Sequence, residues 1–576
     1  MAFSVGIDLG TTNTVVSTAR KGINSNIEVI TEAIDQVGED GFSLVTSTLL
    51  PSVLYVDEGL PTVGLMAKAM KGQSNNKVIF NSKNYMGMNN YKWNIDSKEY
   101  SPEIVASYFL SAVRKHLIQK YKDEESLKSA VITVPASFNL DQRNATKNAA
   151  RLAGFNNDII LISEPTSAIL DFINEQSKIQ DSDKVFELSD FKNILVFDLG
   201  GGTCDVAILK IKITGSEVYV KEISVSEHTL IGGTNFDSYA VEGILRDFEK
   251  ENTISLDNKL DESTLKNLKR KLIVQLEKAK IFFSTKYFQY NDGLRDIKDI
   301  EKTISLPIQV PNIINGNPFK MLLTMEKYNQ YISTLLSDGK NENIITTINS
   351  TLESANFDKK DIDYIFCVGG MTKYPTVWNA ITNYFEKEPL KFTDSMESVS
   401  RGAAIYHHYN INLITEDNNN LIKNNNDNIE SISVERKIDI TPTLPQTVFL
   451  NVKNDFPFPI INAKTEAGTP IILDDLIEVT SETGLSLELY SGMSRFDPNL
   501  KKLDNINLEF PVGIKVGTKV SLKIEYTKKC NLLFEASVKD RPDIKINLKI
   551  EGSQLDDYEI TNLNQKYNIN DVRGTI

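Results

Sequence analysis

The pattern of hydrophobic and polar positions divides the chain into two parts. Up to about residue 412, short β-branched runs at residues 131–134, 194–197 and 364–368 alternate with longer helical patterns. Ser101 and Pro102 supply a capping hydroxyl and a first-turn proline for one such helix. Because strands that alternate with helices are typical of an α/β fold, we predict this fold class for residues 1–412.

The pattern changes after residue 412. Two asparagine-rich stretches predict a polar linker over residues 413–437, since they contain too few apolar residues to pack. Strict alternation then begins and predicts an all-β sandwich over residues 438–551. Residues 552–576 are polar and too short for a helical bundle, so we expect a polar tail without a helical lid.

Composition excludes several function classes. The chain has 576 residues and a net charge of −14, which argues against a general nucleic-acid-binding protein. Its three cysteines, Cys204, Cys367 and Cys530, are far apart and form no metal-binding pair. With no signal-peptide pattern and no apolar run of about 20 residues, we expect a cytoplasmic protein with no membrane partner.

One short motif occurs twice, as residues 6–12 (GIDLGTT) and 196–203 (VFDLGGGT). In each copy a hydrophobic strand leads to an aspartate, then to glycine and a hydroxyl residue. Glycines let the backbone turn sharply and present N–H groups to phosphate oxygens, and aspartates can hold Mg²⁺ through its waters. One copy would fit a common tight turn, but two copies and the glycine pair in residues 368–373 (VGGMTK) favour a site for ATP and Mg²⁺.

Further segments carry a resemblance to a known family. They are residues 63–68 (VGLMAK), 134–139 (VPASFN), 164–168 (EPTSA), 231–237 (IGGTNFD) and 402–404 (GAA). With these motifs the chain resembles the DnaK family of 70-kilodalton heat-shock chaperones over roughly residues 3–406. The resemblance implies an actin-like ATPase domain with two lobes, built from duplicated ribonuclease-H-like halves.

The resemblance also implies roles for individual residues. The expected catalytic residues are Asp8, Lys68, Glu164, Asp198 and Thr203, with Lys68 orienting the attacking water and the γ-phosphate. Asp8, Asp198 and Asp205 are expected to hold Mg²⁺, mainly through water. The expected nucleotide-binding residues are Gly10, Thr11, Thr12, Asn13, Gly200, Gly201, Gly202, Gly232, Gly233, Glu277, Lys280, Ser284, Gly369, Gly370 and Lys373. Taken alone, Lys68 would be a solvated surface lysine, and only its motif assigns it a role.

The chain departs from the family pattern in four places, one of them the last glycine motif, where Met371 and Lys373 replace the usual serine and arginine. Ile281 replaces an arginine that stacks on the adenine, so we expect weaker nucleotide binding. The leucine-rich interdomain linker is replaced by residues 435–438 (ERKI), and burying charges is unfavourable, so we expect altered coupling between the domains. Leu140 and Ile160 replace an aspartate and an arginine near the docking site, which predicts no ordinary stimulation by a J-domain cochaperone.

Two functions fit these observations. The first is a slow, chaperone-type ATPase whose β domain binds unfolded or extended client polypeptides by strand addition, with a nucleotide exchange factor as a further partner. The second is a nucleotide-gated scaffold protein with slow or no ATP turnover, favoured by Ile281 and by the charged linker. A β-sandwich that binds no peptide is the alternative for the second domain.

Overall fold

Two β-sheets built on the same plan organise the larger part of the molecule. The computed structural model describes residues 3–575 apart from residues 23–26, 73–75, 89, 125–126, 156–158, 180–186, 227–228, 292–295, 315, 337–341, 393, 423–436, 453–455, 480–483, 498–499, 510–513, 539–540 and 551–554. Within this part of the chain, no helix is both long and apolar enough to span a membrane.

The first lobe contains a mixed sheet whose hydrophobic strands are covered by helices. Its strands are β1 (Ser4–Leu9), β2 (Asn13–Lys21), β3 (Ile27–Thr31), β4 (Ile34–Val37), β5 (Leu44–Ser47), β6 (Leu50–Pro51), β7 (Val53–Asp57), β8 (Leu60–Val63), β9 (Val78–Phe80), β10 (Trp93–Ile95), β11 (Lys98–Tyr100), β12 (Val131–Val134) and β13 (Ile160–Ser163). Its helices are α1 (Leu65–Ala69), α2 (Pro102–Tyr121), α3 (Leu140–Leu152) and α4 (Glu164–Gln176). The main sheet has the order β13-β12-β1-β2-β3, with β6 paired to β2.

The second lobe repeats this arrangement. Its strands are β14 (Lys192–Leu199), β15 (Cys204–Thr214), β16 (Glu217–Val225), β17 (Ser305–Ile314), β18 (Asn317–Thr324) and β19 (Tyr364–Val368). Its helices are α5 (Gly233–Asn252), α6 (Leu256–Lys259), α7 (Glu262–Tyr290), α8 (Ile297–Thr303), α9 (Met325–Leu336), α10 (Ile344–Ala355), α11 (Pro375–Phe385) and α12 (Ser398–Ile422). In both lobes an antiparallel hairpin, β1–β2 or β14–β15, pairs in parallel with a later strand, β12 or β19. The predicted α/β class and its duplication are confirmed.

Helices α4 and α12 join the lobes by crossing closely. A Cβ atom on Gly402 would lie 1.7 Å from the carbonyl oxygen of Ser167, so only glycine allows this approach. Arg401 donates to the buried carboxylate of Asp171 at 3.0 Å beside the crossing. Helix α12 continues to Ile422 and so passes the predicted boundary at residue 412.

A β-sandwich follows, made of two four-stranded antiparallel sheets. Strand β20 (Lys437–Thr441) precedes it, and its own strands are β21 (Thr447–Val452), β22 (Phe456–Ile461), β23 (Pro470–Glu478), β24 (Gly484–Gly492), β25 (Lys501–Glu509), β26 (Lys519–Tyr526), β27 (Leu532–Val538) and β28 (Arg541–Ile550). One sheet has the order β22-β21-β24-β25 and the other β23-β26-β27-β28. Alternate residues of these strands point inward and form one hydrophobic core.

Strand β20 belongs to a different sheet from the sandwich strands. It pairs in parallel with β16 and extends the sheet of the second lobe to β19-β14-β15-β16-β20. Ile438 and Ile440 pack against the hydrophobic core of the lobe, whereas the Lys437 side chain is exposed and Asp439 pairs with Lys528. We expected charged residues to oppose docking of this segment. In the extended strand, however, side chains alternate between two faces, so the charged side chains of Lys437 and Asp439 lie on the outer face. Glu435 and Arg436 lie outside the described residues.

The sandwich contacts the first lobe through the N-terminus of α3. The side chain of Asn139 caps this helix by accepting from the Gln142 amide at 3.0 Å, and the next residue, Leu140, is buried in the core of the sandwich. Lys501 of the sandwich forms an ion pair of 2.9 Å with Asp141. Leu140 therefore serves the domain interface.

The segment after the sandwich is folded, which the sequence did not indicate. We call residues 555–575 the C-terminal segment; it contains helix α13 (Asp557–Tyr567) and a 3₁₀ turn, Ile569–Asp571. Tyr567, Ile569 and Val572 are buried in the core of the first lobe. The segment predicted to be a polar tail thus packs against the first lobe, because it contains these three apolar side chains among polar residues.

The interface makes Leu140→Ala a direct test of domain docking. Loss of this buried side chain is expected to weaken docking by about 2–3 kcal/mol and to speed amide hydrogen exchange in the turn between β26 and β27. The matched control is Leu322→Ala, because Leu322 is exposed on β18. Equal exchange in the two variants would contradict the described interface.

Candidate functional site

The two glycine-rich turns face each other across a cleft between the lobes. The first turn joins β1 to β2 and the second joins β14 to β15. A Cβ atom on Gly201 would lie 1.7 Å from Thr12 Oγ1, and one on Gly202 would lie 2.9 Å from Thr11 Cγ2. The turns approach so closely that their glycines are required for steric reasons as well as for their amide groups.

One cavity brings together most of the residues that the sequence predicted. It is lined by Asp8, Gly10, Thr11, Thr12, Asn13, Lys83, Glu164, Asp198, Gly200, Gly201, Thr203, Gly369 and Gly370, among others. Gly369 has φ of +85°, and a Cβ atom there would lie 2.4 Å from Asp198 Oδ1. The backbone of the third glycine motif therefore lies directly against the second aspartate.

The carboxylates of this cleft are held at the ends of strands and at a helix start. Thr133 on β12 donates to Asp8 at 3.0 Å, and Ser137 donates to Asp205 at 3.1 Å. Asp205 is the direct partner of Asp198 across the β14–β15 pair. Glu164 is the first residue of α4 and is almost fully buried.

Burial of these acidic groups makes their ionised forms costly. Burial raises the pKa of Asp8 and raises that of Asp198 well above its ordinary value, the latter with help from the neighbouring carboxylates. Burial also raises the pKa of Glu164 to about 7, although the charge of Lys83 opposes this shift. A bound cation would relieve this cost, so the donor set fits Mg²⁺.

Lys83 provides a positive charge within the cleft. It lies in the 3₁₀ turn Ser82–Tyr85, is buried, and forms an ion pair with Glu164. Burial opposes its charge, but Glu164, Asp8 and Asp205 outweigh that effect and raise the pKa of Lys83. Lys83 therefore stays protonated beside the carboxylates.

Lys68, the predicted catalytic lysine, lies outside this cavity in the ligand-free structure, so its role stays a prediction. It is on α1, does not line the cavity, and forms a partly exposed ion pair of 2.9 Å with Glu277 on α7. This pair connects the first lobe to the second. Lys83, fifteen positions later in the chain, is the lysine that lines the cavity in this structure, and the sequence did not single it out.

The remaining predicted residues form a second group on the second-lobe side. Lys280 on α7 donates to the Gly233 carbonyl at 3.1 Å and to Asp237 at 2.8 Å. Ser284 donates to the Lys373 carbonyl at 2.9 Å, and Lys373 pairs with Asp394 at 3.1 Å. A Cβ atom on Gly232 would lie 2.4 Å from the amide of Gly202, which joins this group to the second turn.

The three aspartates predicted to hold Mg²⁺ lie within electrostatic reach of one another, since Asp205 and Asp8 both raise the pKa of Asp198. Asp8 and Asp198 line the cavity, and Asp205 lies beside Asp198 on the neighbouring strand. Among the described residues, no group of three or more acidic, histidine or cysteine side chains is placed to hold a metal ion directly. Coordination through water therefore stays a prediction.

Comparison with known proteins decides the family. The family model described as Hsp70 protein matches residues 4–412, which include both turns, Lys83 and the four carboxylates. The chain belongs to the Hsp70 family. The actin-like fold of the ATPase domain and the identity expected from the motifs are thereby confirmed.

Two relatives define how far the similarity extends. This Hsp70 chain is 33% identical to the chaperone protein DnaK of Thermosipho melanesiensis over 405 residues, which are 70% of this chain and 58% of that protein. It is also 33% identical to the chaperone protein DnaK of Thermotoga neapolitana over 407 residues, 70% of this chain and 59% of the relative. The match thus covers less than two thirds of the length of either relative.

The buried carboxylates of this Hsp70 chain predict that Asp198→Asn stabilises the ligand-free protein. The pKa of Asp198 is raised by folding, so ionisation costs stability at any pH above the unfolded value of 3.8. The cost grows as pH rises and becomes constant above the folded pKa. We therefore expect a melting temperature a few degrees above wild type at pH 8 and a smaller difference at pH 5, in calorimetry without Mg²⁺.

The control for this prediction is Asp190→Asn, because Asp190 is an exposed aspartate. A melting temperature of Asp198→Asn at or below that of wild type at pH 8 would show that the carboxylates stabilise the fold without a cation. Adding Mg²⁺ and ATP is expected to remove the advantage of the variant.

Proposed function

We propose that this Hsp70 chain is an ATP-dependent chaperone that hydrolyses ATP slowly in the cleft and binds extended client segments on its β-sandwich. The observation that carries the proposal is the meeting of both glycine turns, the buried carboxylates and Lys83 in one cavity. The DnaK relatives are named chaperones, and their match to the ATPase region supports the same activity.

The residues of the cleft fit ATP and Mg²⁺. The two turns, with Thr11, Thr12 and Thr203, line the cleft, and their amides and hydroxyls would bind phosphate oxygens. Asp8, Asp198 and Asp205 would hold Mg²⁺ through water. Bound Mg²⁺ would supply positive charge against the phosphates, which is the main requirement of phosphoryl transfer.

We assign to Lys83 the role that the sequence gave to Lys68. Its ammonium group is fixed by Glu164 and is positioned to stabilise negative charge on a terminal phosphate. Glu164, with a pKa of about 7, can accept a proton from an attacking water near neutral pH. Lys68, paired with Glu277 outside the cavity, has a bridging role between the lobes.

The adenosine would lie between α7 and the third glycine motif. Glu277, Lys280 and Ser284 share one side of this region, and Gly370 and Lys373 share the other. Ile281 on the same helix has 58% of its surface exposed. An exposed aliphatic side chain covers a base without the cation–π attraction of an arginine, so weaker nucleotide binding stays our prediction.

An exposed aromatic patch on the sandwich supports client binding. Phe456 and Phe458 lie on one face of β22, and Arg495 stacks on Phe456 at 5.2 Å and on Phe496 at 4.7 Å. Phe496 is 79% exposed. Apolar surface of this kind favours extended apolar segments of other proteins.

The prolines of β22 change the expected mode of binding. Strand addition needs free amide donors along a sheet edge, and β22 is an edge strand. Pro457 and Pro459 have no amide hydrogen, so they weaken this edge as a template for another strand. We therefore propose side-chain contacts with the aromatic patch in place of strand addition here.

Other partners stay predictions. Leu140 is buried in the core of the sandwich and Ile160 lies on β13. Neither side chain offers a charge to a J-domain, which supports the expected lack of ordinary stimulation. A nucleotide exchange factor remains the further partner that family membership suggests.

Substitution of the two lysines tests the proposed hydrolysis. Lys83→Ala is expected to lower steady-state phosphate release from ATP by roughly a hundredfold or more, because it removes a buried charge from the reacting region. Lys68→Ala removes a partly exposed ion pair, so we expect a change within about threefold. Both variants should keep the wild-type far-ultraviolet circular dichroism.

Two outcomes would contradict this proposal. A large loss in Lys68→Ala with little change in Lys83→Ala would return the catalytic role to Lys68. Wild-type protein that binds ATP but releases no phosphate would favour the nucleotide-gated scaffold.

Substitution of the patch tests client binding separately. Phe496→Ser is expected to weaken binding of a fluorescent, extended apolar peptide to the full chain by roughly tenfold, measured by fluorescence anisotropy. The matched control is Phe288→Ser, since Phe288 is similarly exposed on α7. Equal affinities for both variants would place the client site elsewhere or leave the sandwich without one.

A further inference from the structure

The C-terminal segment is attached to the first lobe along its whole length. At its start, the Leu555 amide donates to Asn148 at 3.2 Å, and Arg151 donates to the Leu555 carbonyl and to Asp557. Asn148 and Arg151 both belong to α3. This is the helix whose first residue, Leu140, enters the core of the sandwich. One helix of the first lobe therefore carries contacts to both the sandwich and the segment that follows it.

The middle of the segment is fixed by a tyrosine. The ring of Tyr567 is buried beside Tyr100, with the ring centres 5.4 Å apart. Its hydroxyl donates to the Glu99 carbonyl, and its own carbonyl accepts from Tyr108. By contrast, Tyr558 on the same helix is exposed.

The last described residues join the first lobe through backbone hydrogen bonds. The amides of Val37 and Val63 donate to the carbonyls of Gly574 and Arg573, each at 2.9 Å. Gly574 has φ of +99°, and a Cβ atom there would lie 2.1 Å from the carbonyl oxygen of Val63. This position accepts only glycine, so the segment fits its docking surface at the level of single atoms.

The sandwich is consequently held at both of its ends by different lobes. Before it, β20 is a strand of the second lobe, separated from β21 by residues 442–446. After it, residues 551–554 separate β28 from the docked segment. A connection of four or five residues spans at most roughly 20 Å when extended, so the sandwich cannot move far while both ends are attached.

We propose that the C-terminal segment is an intramolecular clasp that holds the sandwich against the ATPase region. The sandwich can move away from α3 only as far as these short connections reach. To move farther, it requires the segment to leave the first lobe. The contacts of the clasp lie on the first lobe, including α3, and they add a second attachment to the docking of the sandwich through Leu140.

The native cysteines provide a probe of this clasp. Cys530 is partly exposed on the sandwich and lies within electrostatic reach of Arg143 and Tyr406 of the ATPase region. Cys204 and Cys367 are buried in the second lobe. The rate of maleimide labelling at Cys530, resolved by mass spectrometry, therefore reports separation of the sandwich, and the other two cysteines report unfolding of the second lobe.

Gly574→Val and Tyr567→Ala each remove one attachment of the clasp, and Tyr558→Ala is the matched control. We expect the two clasp variants to label at Cys530 roughly tenfold faster than wild type, and the control to label at the wild-type rate. Hydrogen exchange at the amides of Val37 and Val63 verifies that the segment has been released. Released segments with an unchanged labelling rate at Cys530 would overturn the proposal.

A chain that ends at Ile550 covers the case in which single substitutions leave the segment docked. It is expected to label rapidly at Cys530, and a synthetic peptide of residues 555–575 added in trans should restore slow labelling. If the amides of β1 and β12 in the first lobe exchange faster in step with labelling at Cys530, and the peptide slows both together, the segment is part of the fold of the first lobe. That outcome would overturn the role as a clasp.

Discussion

The confinement of several carboxylates in one buried cleft is the constraint on which this molecule depends. Asp8 comes from the first lobe and Asp198 from the second. The free-energy cost of burying their charges therefore opposes the close approach of the two lobes. Lys83 offsets part of that cost by pairing with Glu164. A cation and phosphates bound as proposed would offset the rest of that cost, and their binding would then depend on the relative position of the lobes.

Sequence reasoning predicted the parts of this site that depend on local backbone chemistry. An aspartate followed by glycine and threonine can be recognised without a structure, because a tight turn needs those residues in that order. Lys83 could not be recognised in this way. It follows a short strand and sits in a 3₁₀ turn, and only the tertiary fold brings it next to Glu164, 81 positions later. The available signal was a lysine in a polar stretch directly after a short apolar run, residues 78–84 (VIFNSKN), but the motif around Lys68 was stronger.

After residue 412, too, the sequence predicted local structure but not the contacts that depend on the tertiary fold. The alternating strands of the sandwich were predictable because their period of two is a local property. The docking of residues 555–575 depends on Tyr567, Ile569 and Val572, whose spacing fits no regular amphipathic pattern. Likewise, the charges around Ile438 and Ile440 suggested poor docking, whereas the extended conformation of β20 separates the charged from the apolar side chains.

Strand β20 also has a consequence for the behaviour of the free ATPase domain. It covers the outer edge of β16 from Glu217 to Lys221, where the backbone groups of that edge would otherwise be unpaired. Exposed edges of this length pair readily with strands from other chains. When the sandwich undocks and takes β20 away from β16, the exposed edge of the second lobe can pair with a strand of another molecule. Strand exchange between molecules then competes with redocking of β20.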